Sequence, residues 1–396
     1  MQIEGWVEYK GSEITTKITK GSSPKWQGFD YQNDGTLFVT SENVREGFLD
    51  ISNPKYLSLE FNKKLKNSQL EVGDILINIV GASIGRSCQF NIDNQLANIN
   101  QAVCLFRTNE LVDKNYIQQY LQLPSTINRL LGTQTESARP NLSLGDLRDF
   151  TFILPPKSEQ KKIAEILSTW DKAIEAVEKL VANSQQQKKA LMQQLLTGQK
   201  RLLDDNGVKF GDEWEEFSIS DLCKIGRGRV ISKTEIEENF GSYPVYSSQT
   251  LSNGIMGYLN SYDFDGEYVT WTTDGVNAGT VFYRNGKFNC TNVCGTLSPK
   301  NNLINLKFLA LALSRVAFKY VSHTLANPKL MNGVMGTITI QVPKIEEQEK
   351  IAQVLTTADR EIDLYQQQLD ELKLEKKSLM QQLLTGQKRV KLGGEY

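Results

Sequence analysis

Histidine is nearly missing from the chain: His323 stands alone among 396 residues. That weighs against triad hydrolases and removes the paired ligands of an HExxH metalloprotease. Cysteine is scarce too, and Cys88, Cys104, Cys223, Cys290 and Cys294 form no even disulfide framework. A reduced, cytoplasmic protein is expected. Cys290 and Cys294 make a CxxxC, but a closed zinc site needs four ligands and no second pair lies nearby, so structural cysteines are expected. No apolar run reaches membrane-spanning length; the best, Leu306 to Val321, is interrupted by Lys307, Arg315 and Lys319 and reads as a buried helix. The start, Met1-Gln2-Ile3-Glu4, has neither the basic flank nor the apolar core of a signal peptide.

Motifs of catalysis are absent as well. There is no phosphate-cradling GxxxxGK[ST] loop, and Gly226-Arg-Gly228 is too short to serve as one. An Asn/Asp-Pro-Pro-aromatic signature for amino-methylation is lacking, because Asn53-Pro54-Lys55-Tyr56 has no second proline. Asp263, Asp265 and Glu267 cluster on a turn before a strand, where a solvated turn explains them better than a metal-nuclease site.

What the chain does have is a repeat. At this length two or more domains are expected, and Leu-Met-Gln-Gln-Leu-Leu-Thr-Gly-Gln-Lys-Arg occurs at 191–201 and again at 379–389. At an offset of 188 residues, Pro155–Arg201 matches Pro343–Arg389 without gaps, with 23 of 47 positions identical. The segments before them match weakly. Trp6-Val-Glu-Tyr echoes Trp214-Glu-Glu-Phe, and Ile18-Thr-Lys-Gly21 echoes Ile225-Gly-Arg-Gly228. Gly73-Asp-Ile-Leu-Ile echoes Gly266-Glu-Tyr-Val-Thr, and Arg139-Pro-Asn141 echoes Asn327-Pro-Lys329. Each half reads as a variable globular domain followed by a similar long helix. One surface kept twice suits a common partner, and two diverged domains suit two different ligands.

The helices carry heptads. The first seam runs Ile163, Leu167, Trp170, Ile174, Val177, Val181, Ser184, Lys188, Leu191, Leu195; the second runs Ile351, Leu355, Ala358, Ile362, Tyr365, Leu369, Leu372, Lys376, Leu379, Leu383. Gly198 and Gly386 suit C-caps. About 37 residues make a rod of roughly 55 Å. A parallel pair would oppose Lys188 to Lys376, whereas a centred antiparallel pair puts Lys188 on Ala358 and Lys376 on Trp170, where a cation–π contact is available. Antiparallel pairing is expected.

Two variable domains alternating with two similar helices that end in paired Leu-Met-Gln-Gln-Leu-Leu-Thr-Gly strings resemble the specificity subunit of type I restriction-modification systems. The resemblance spans essentially the whole chain. It implies a non-catalytic subunit with target recognition domains at 1–154 and 202–342, each reading one half of a bipartite double-stranded DNA site. It also implies conserved regions at 155–201 and 343–396 that pack antiparallel and dock two methyltransferase subunits, with motor-nuclease subunits joining for restriction. S-adenosylmethionine, ATP and Mg2+ are then expected only on those partners, with no cofactor or metal on this chain. The fold implied is α+β, two mixed globules and a helical pair with pseudo-two-fold repetition. Half-sites read from one face of DNA lie roughly 34–36 Å apart, within the reach of the rod.

Charge gives no general basic footprint. The net balance is −2 for 1–155, +4 for 156–201, −2 for 202–343 and −1 for 344–396, so any DNA-binding surface is local and partner subunits are expected to supply phosphate contacts. Polar loops suited to base edges offer Ser22, Lys25, Ser41, Asn43, Arg86, Asn100, Arg139 and Asn141 in the first domain. The second offers Arg227, Arg229, Ser248, Gln249, Thr273, Asn277, Asn292 and Lys329. Arg86, Arg139, Arg227 and Arg229 stand out, because arginine suits both guanine and phosphate. Strands are expected at 75–80, 103–107, 269–273 and 337–342, and helices at 115–123 and 305–320. The tail, Lys391-Leu-Gly-Gly-Glu-Tyr396, resembles Lys209-Phe-Gly-Asp-Glu-Trp214 and is expected to pack near residues 1–14.

Overall fold

The computed structural model describes residues 3–132, 141–323 and 327–391. The chain divides into two units, Met1–Glu178 with Gln368–Tyr396, and Lys179–Gln367. Each unit holds one globular domain, the near half of one long helix and the far half of the other.

In the first unit the strands are β1 (Val7–Lys10), β2 (Thr15–Lys20), β3 (Thr36–Val39), β4 (Tyr56–Leu57), β5 (Ile75–Asn78), β6 (Ser87–Gln89), β7 (Ala97–Ile99), β8 (Val103–Thr108) and β9 (Thr151–Leu154). They form a four-stranded sheet in the order β2-β8-β5-β6, a three-stranded sheet β4-β3-β7 and a pair β1-β9. The second unit has β10 (Glu215–Ser218), β11 (Cys223–Arg227), β12 (Tyr243–Tyr246), β13 (Ile255–Leu259), β14 (Glu267–Thr272), β15 (Val281–Asn285), β16 (Asn289–Cys290), β17 (Cys294–Pro299) and β18 (Thr339–Val342). Their orders are β11-β17-β14-β15, β13-β12-β16 and β10-β18. The two domains therefore share one topology, down to the parallel pairs β3·β7 and β12·β16.

Registers coincide as well. Ile75 faces Gln89 as Val269 faces Tyr283, and Lys20 faces Cys104 as Arg227 faces Gly295. Burial, not sequence identity, preserves this scaffold. Ile75 and Ile77 of β5 with Cys104 and Phe106 of β8 share a core with a helix at Lys114–Gln122; Val269 and Trp271 of β14 with Leu297 of β17 share one with a helix at Leu306–Val316. Each is capped by a side chain, Asp113 or Asn305, accepting the first free backbone N–H groups.

The expected elements are present with shifted ends. The helix expected over 305–320 stops at Val316 and tightens into a 3-10 turn, Ala317–Tyr320. The strand expected from 337 begins at Thr339, since Thr337 ends a short helix, Asn332–Thr337. Among the described residues all five cysteines are free and buried, and no helix is long and apolar enough to cross a membrane.

The long helices run Lys157–Leu195 and Ile345–Leu384. In each unit their halves pack antiparallel, with every seam position buried or half-buried. The seam lysines differ from expectation by one position. Lys376 forms a 2.5 Å ion pair with Asp171 instead of lying over Trp170, and Lys188 pairs with Asp359 instead of resting on Ala358. A carboxylate one residue along the helix is within reach of a flexible ammonium, and its charge complementarity outweighs a ring face. The ends are tied by a repeated clasp. Arg389 donates two bonds of 2.7 Å to Glu159 in the first unit, and Arg201 donates two of 2.6 Å to Glu347 in the second. Both carboxylates are buried, at 2% and 1% exposure.

Gly198 and Gly386 turn the chain after each helix at φ 70°, and each lets an aromatic ring approach. A β-carbon at Gly386 would lie 2.7 Å from Ile3 and 3.2 Å from Trp6; one at Gly198 would lie 3.5 Å from Trp214. The second helix thus ends against the start of the first domain, where Arg389 also donates to the Glu4 carbonyl and Val390 joins the core. The expected packing of Tyr396 falls on residues 392–396, outside the described residues.

The clasp generates a test. Arg201→Met leaves Glu347 buried and unpaired, and should lower stability by about 3 kcal/mol in urea denaturation. Adding Glu347→Gln should recover part of that loss, because the two changes are not additive.

Candidate nucleic-acid interface

Loops at corresponding ends of the strands carry most of the sequence-predicted residues. After β5 and β14 each domain has a Gly-X-X-X-Gly turn, Gly81–Gly85 and Gly275–Gly279. The two turns make the same backbone bonds: Ile84 N–H to Gly81 and Ala278 N–H to Gly275, then Gly85 N–H to Asn78 and Gly279 N–H to Thr272. Beside each, a later strand-like residue closes the rim, Asn141 bridging Val80 and Lys329 bridging Asp274. Superposing these registers sets Lys20, Val80 and Asn141 of the first domain against Arg227, Asp274 and Lys329 of the second.

The second-domain set forms one cluster. Arg227 donates 3.2 Å bonds to Thr273 Oγ1 and Asp274 Oδ2, and its Nε donates to the Asn292 carbonyl. Lys329 pairs with Asp274 at 3.3 Å. Burial raises the cost of ionising Asp274, but the Thr273 hydroxyl, Lys329 and Arg227 outweigh it and hold its carboxyl below the usual value. Two cations thus share one anion, leaving a net positive rim on a domain that is not basic overall. Thr273 itself is fully buried and accepts from Arg227.

Next to this cluster, Asn277 donates to the Ser248 carbonyl at 3.4 Å and so joins the turn to the loop after β12. Gln249 turns back on that loop, donating to the Ile255 carbonyl. Arg229 stands apart: it is held by Asp263 at 3.0 Å and Glu235 at 2.6 Å. That pairing also separates the acidic trio, since Glu267 accepts from the Tyr283 hydroxyl at 2.6 Å.

The first domain is looser. Asn78, wholly buried, donates to the Ser41 carbonyl at 2.9 Å and to Ser83 Oγ at 3.1 Å, gripping the loop after β3. Asn43 is consumed inside that loop, accepting from Thr40 N–H and donating to the Asp50 carbonyl. Asn100 accepts from Ala102 N–H, and Ser22 from Gln27. These three build loops. Lys25 and Arg86 are exposed, as is Trp26 at 79%. Arg139 falls outside the described residues. Sequence reasoning put Asp274 in a candidate loop, Thr272-Thr273-Asp274, but missed Lys20 and the gripping Asn78 as site residues. The echoes Ile18-Thr-Lys-Gly21 with Ile225-Gly-Arg-Gly228 and Arg139-Pro-Asn141 with Asn327-Pro-Lys329 already aligned Lys20 with Arg227 and Asn141 with Lys329; the recurrence of Gly-X-X-X-Gly in both halves was the further signal of this rim.

Comparison with known proteins agrees with the repeated architecture. The family model described as "Type I restriction modification DNA specificity domain" matches residues 3–183 and again 211–374. A type I specificity subunit of Mycoplasma pneumoniae is 40% identical over 244 residues, covering 58% of this chain and 87% of that protein. The Type I restriction enzyme MpnII specificity subunit of the same organism is 45% identical over 168 residues, 40% of this chain and 51% of that protein. The crystal structure of a type I restriction-modification S subunit from M. genitalium shares the fold, with a TM-score of 0.63 at 16% identity over 96% of each chain. With a family model matched once to each half, this chain belongs to the family of type I restriction-modification specificity subunits.

Proposed function

We propose that this chain is a non-catalytic reader of a bipartite double-stranded DNA site, each domain recognising one half. One observation carries the reading. A single strand scaffold occurs twice in the same register, yet presents Lys20, Val80 and Asn141 in one copy and Arg227, Asp274 and Lys329 in the other. A common frame with different rim chemistry suits two different base sequences. The recognition domains are 1–154 and 202–342. The long helices, nearly identical at their ends, set the spacing of the half-sites and dock two methyltransferase subunits, which motor-nuclease subunits join. S-adenosylmethionine, ATP and Mg2+ belong to those partners. Arg86, Arg227 and Lys329 are the foremost contacts, with Ser41, Ser248 and Gln249 on the adjoining loops.

Exchanging 202–342 for another recognition domain should change one half-site and preserve the other. Methylome mapping reads this directly, and alteration of both halves would end the modular reading. Lengthening both helices by one heptad adds roughly 10 Å of helix and should widen the unread spacer by about 3 base pairs; an active variant with the old spacer would show that the helices do not measure it. Asp274→Asn should release Arg227 and Lys329 toward phosphate. The expected result is tighter binding of unrelated duplex at low salt, with the salt slope of log Kd steeper by about one. An unchanged slope would place this cluster away from DNA.

A further inference from the structure

Arg284 is buried at 3% exposure in β15, and no carboxylate among the described residues is seen to pair with it. Its guanidinium carbon lies 3.6 Å from the Tyr246 ring centre and 4.3 Å from that of Phe282. Nε donates to Thr270 Oγ1 at 3.3 Å, and Nη2 donates to the Asn253 carbonyl at 2.9 Å. Burial acts first on this group and pushes its pKa down, against the usual stability of a guanidinium.

The repeat makes the residue more telling. Because Gln89 and Tyr283 occupy the same register, the next residue of each strand corresponds, and Arg284 stands where the first domain has Phe90, itself buried at 1%. A phenylalanine fills that place in one copy with no desolvation of charge. Replacing it by arginine costs free energy that the fold does not require. What arginine adds is a fork reaching the loop after β12. Asn253 sits in the left-handed region at φ 56°, as does Ser252 at φ 50°. The loop closes through Ser247 N–H to the Gly254 carbonyl; on it Gln249 and Leu251 are exposed, the latter at 81%, and Ser248 is half-buried.

We propose that Arg284 is the positioning residue for half-site recognition by the second domain: it holds the Ser247–Gly254 loop in its strained form and supplies a desolvated positive charge behind it. This role rests on the DNA-reading function proposed above. The first domain grips its corresponding loop with neutral Asn78, so the charge is a feature of one half-site only.

The test uses the full chain assembled with its methyltransferase subunits. Methylation is measured on duplexes carrying single-base changes in either half-site, and melting temperature is followed in parallel. Arg284→Met should reduce discrimination at the second-domain half-site at least tenfold while leaving the first unchanged, and Arg284→Lys should restore part of it. Should Arg284→Met fail to fold, Gly254→Ala carries the test, since a β-carbon there would lie 3.2 Å from both Arg284 Nη2 and the Gln249 carbonyl; it should relax the same half-site. Unchanged discrimination in a folded variant, or equal relaxation of both half-sites, overturns the role. A wild-type complex without a two-part site overturns the function itself, and is distinguished by needing no variant.

Discussion

The architecture depends on two reciprocal clasps between helix ends. Glu159 and Glu347 lie in the first turns of their helices, where the helix dipole favours a carboxylate, and each accepts the fork of the arginine that follows the other helix. A parallel pair would bring like ends together and leave two buried carboxylates without cations. Buried ion pairs contribute modestly to stability once desolvation is counted, but breaking one is expensive. Here that asymmetry selects direction. Lys188–Asp359 and Lys376–Asp171 repeat the selection inside the seam.

The residue after each clasp glutamate joins the helix to its domain. Gln160 accepts from Asp113 N–H at 2.9 Å and donates to the Pro155 carbonyl; Gln348 accepts from Asn305 N–H at 2.8 Å and donates to the Pro343 carbonyl. Asp113 and Asn305 are the caps of the short helices that cover the main sheets. A Glu-Gln dipeptide is therefore the joint between long helix, facing helix and globular domain, twice over. It accounts for the Glu-Gln kept at both helix starts while the domains diverge: a change there strands a buried polar group.

Divergence is confined to places the joint does not touch. The strands retain register through buried apolar contacts, which tolerate exchange of one hydrophobe for another. The rim lies beyond the strand ends and is half-buried, so Val80 and Asp274 can occupy one position without disturbing the sheet. Arg284 in place of Phe90 puts a charge inside a core position, and it is coupled to a loop instead of to packing.

Much of this was legible in the sequence. Heptads exposed both helices, the offset repeat exposed two domains of one kind, and opposed lysines indicated the antiparallel direction. Periodicity and identity are local or in-register properties, so a linear reading recovers them. Loop residues were harder to judge. Asn43 and Asn100 have the chemistry of base readers but spend it on neighbouring backbone, and Arg229 is neutralised by two acids brought from other segments. The sequence by itself determined the number of domains, the helices and their pairing, because these follow from spacing along the chain. Only the tertiary structure decided which polar side chains remain free to meet a ligand, because hydrogen-bond partners of a loop residue come from strands distant in sequence and compete for the same donors and acceptors.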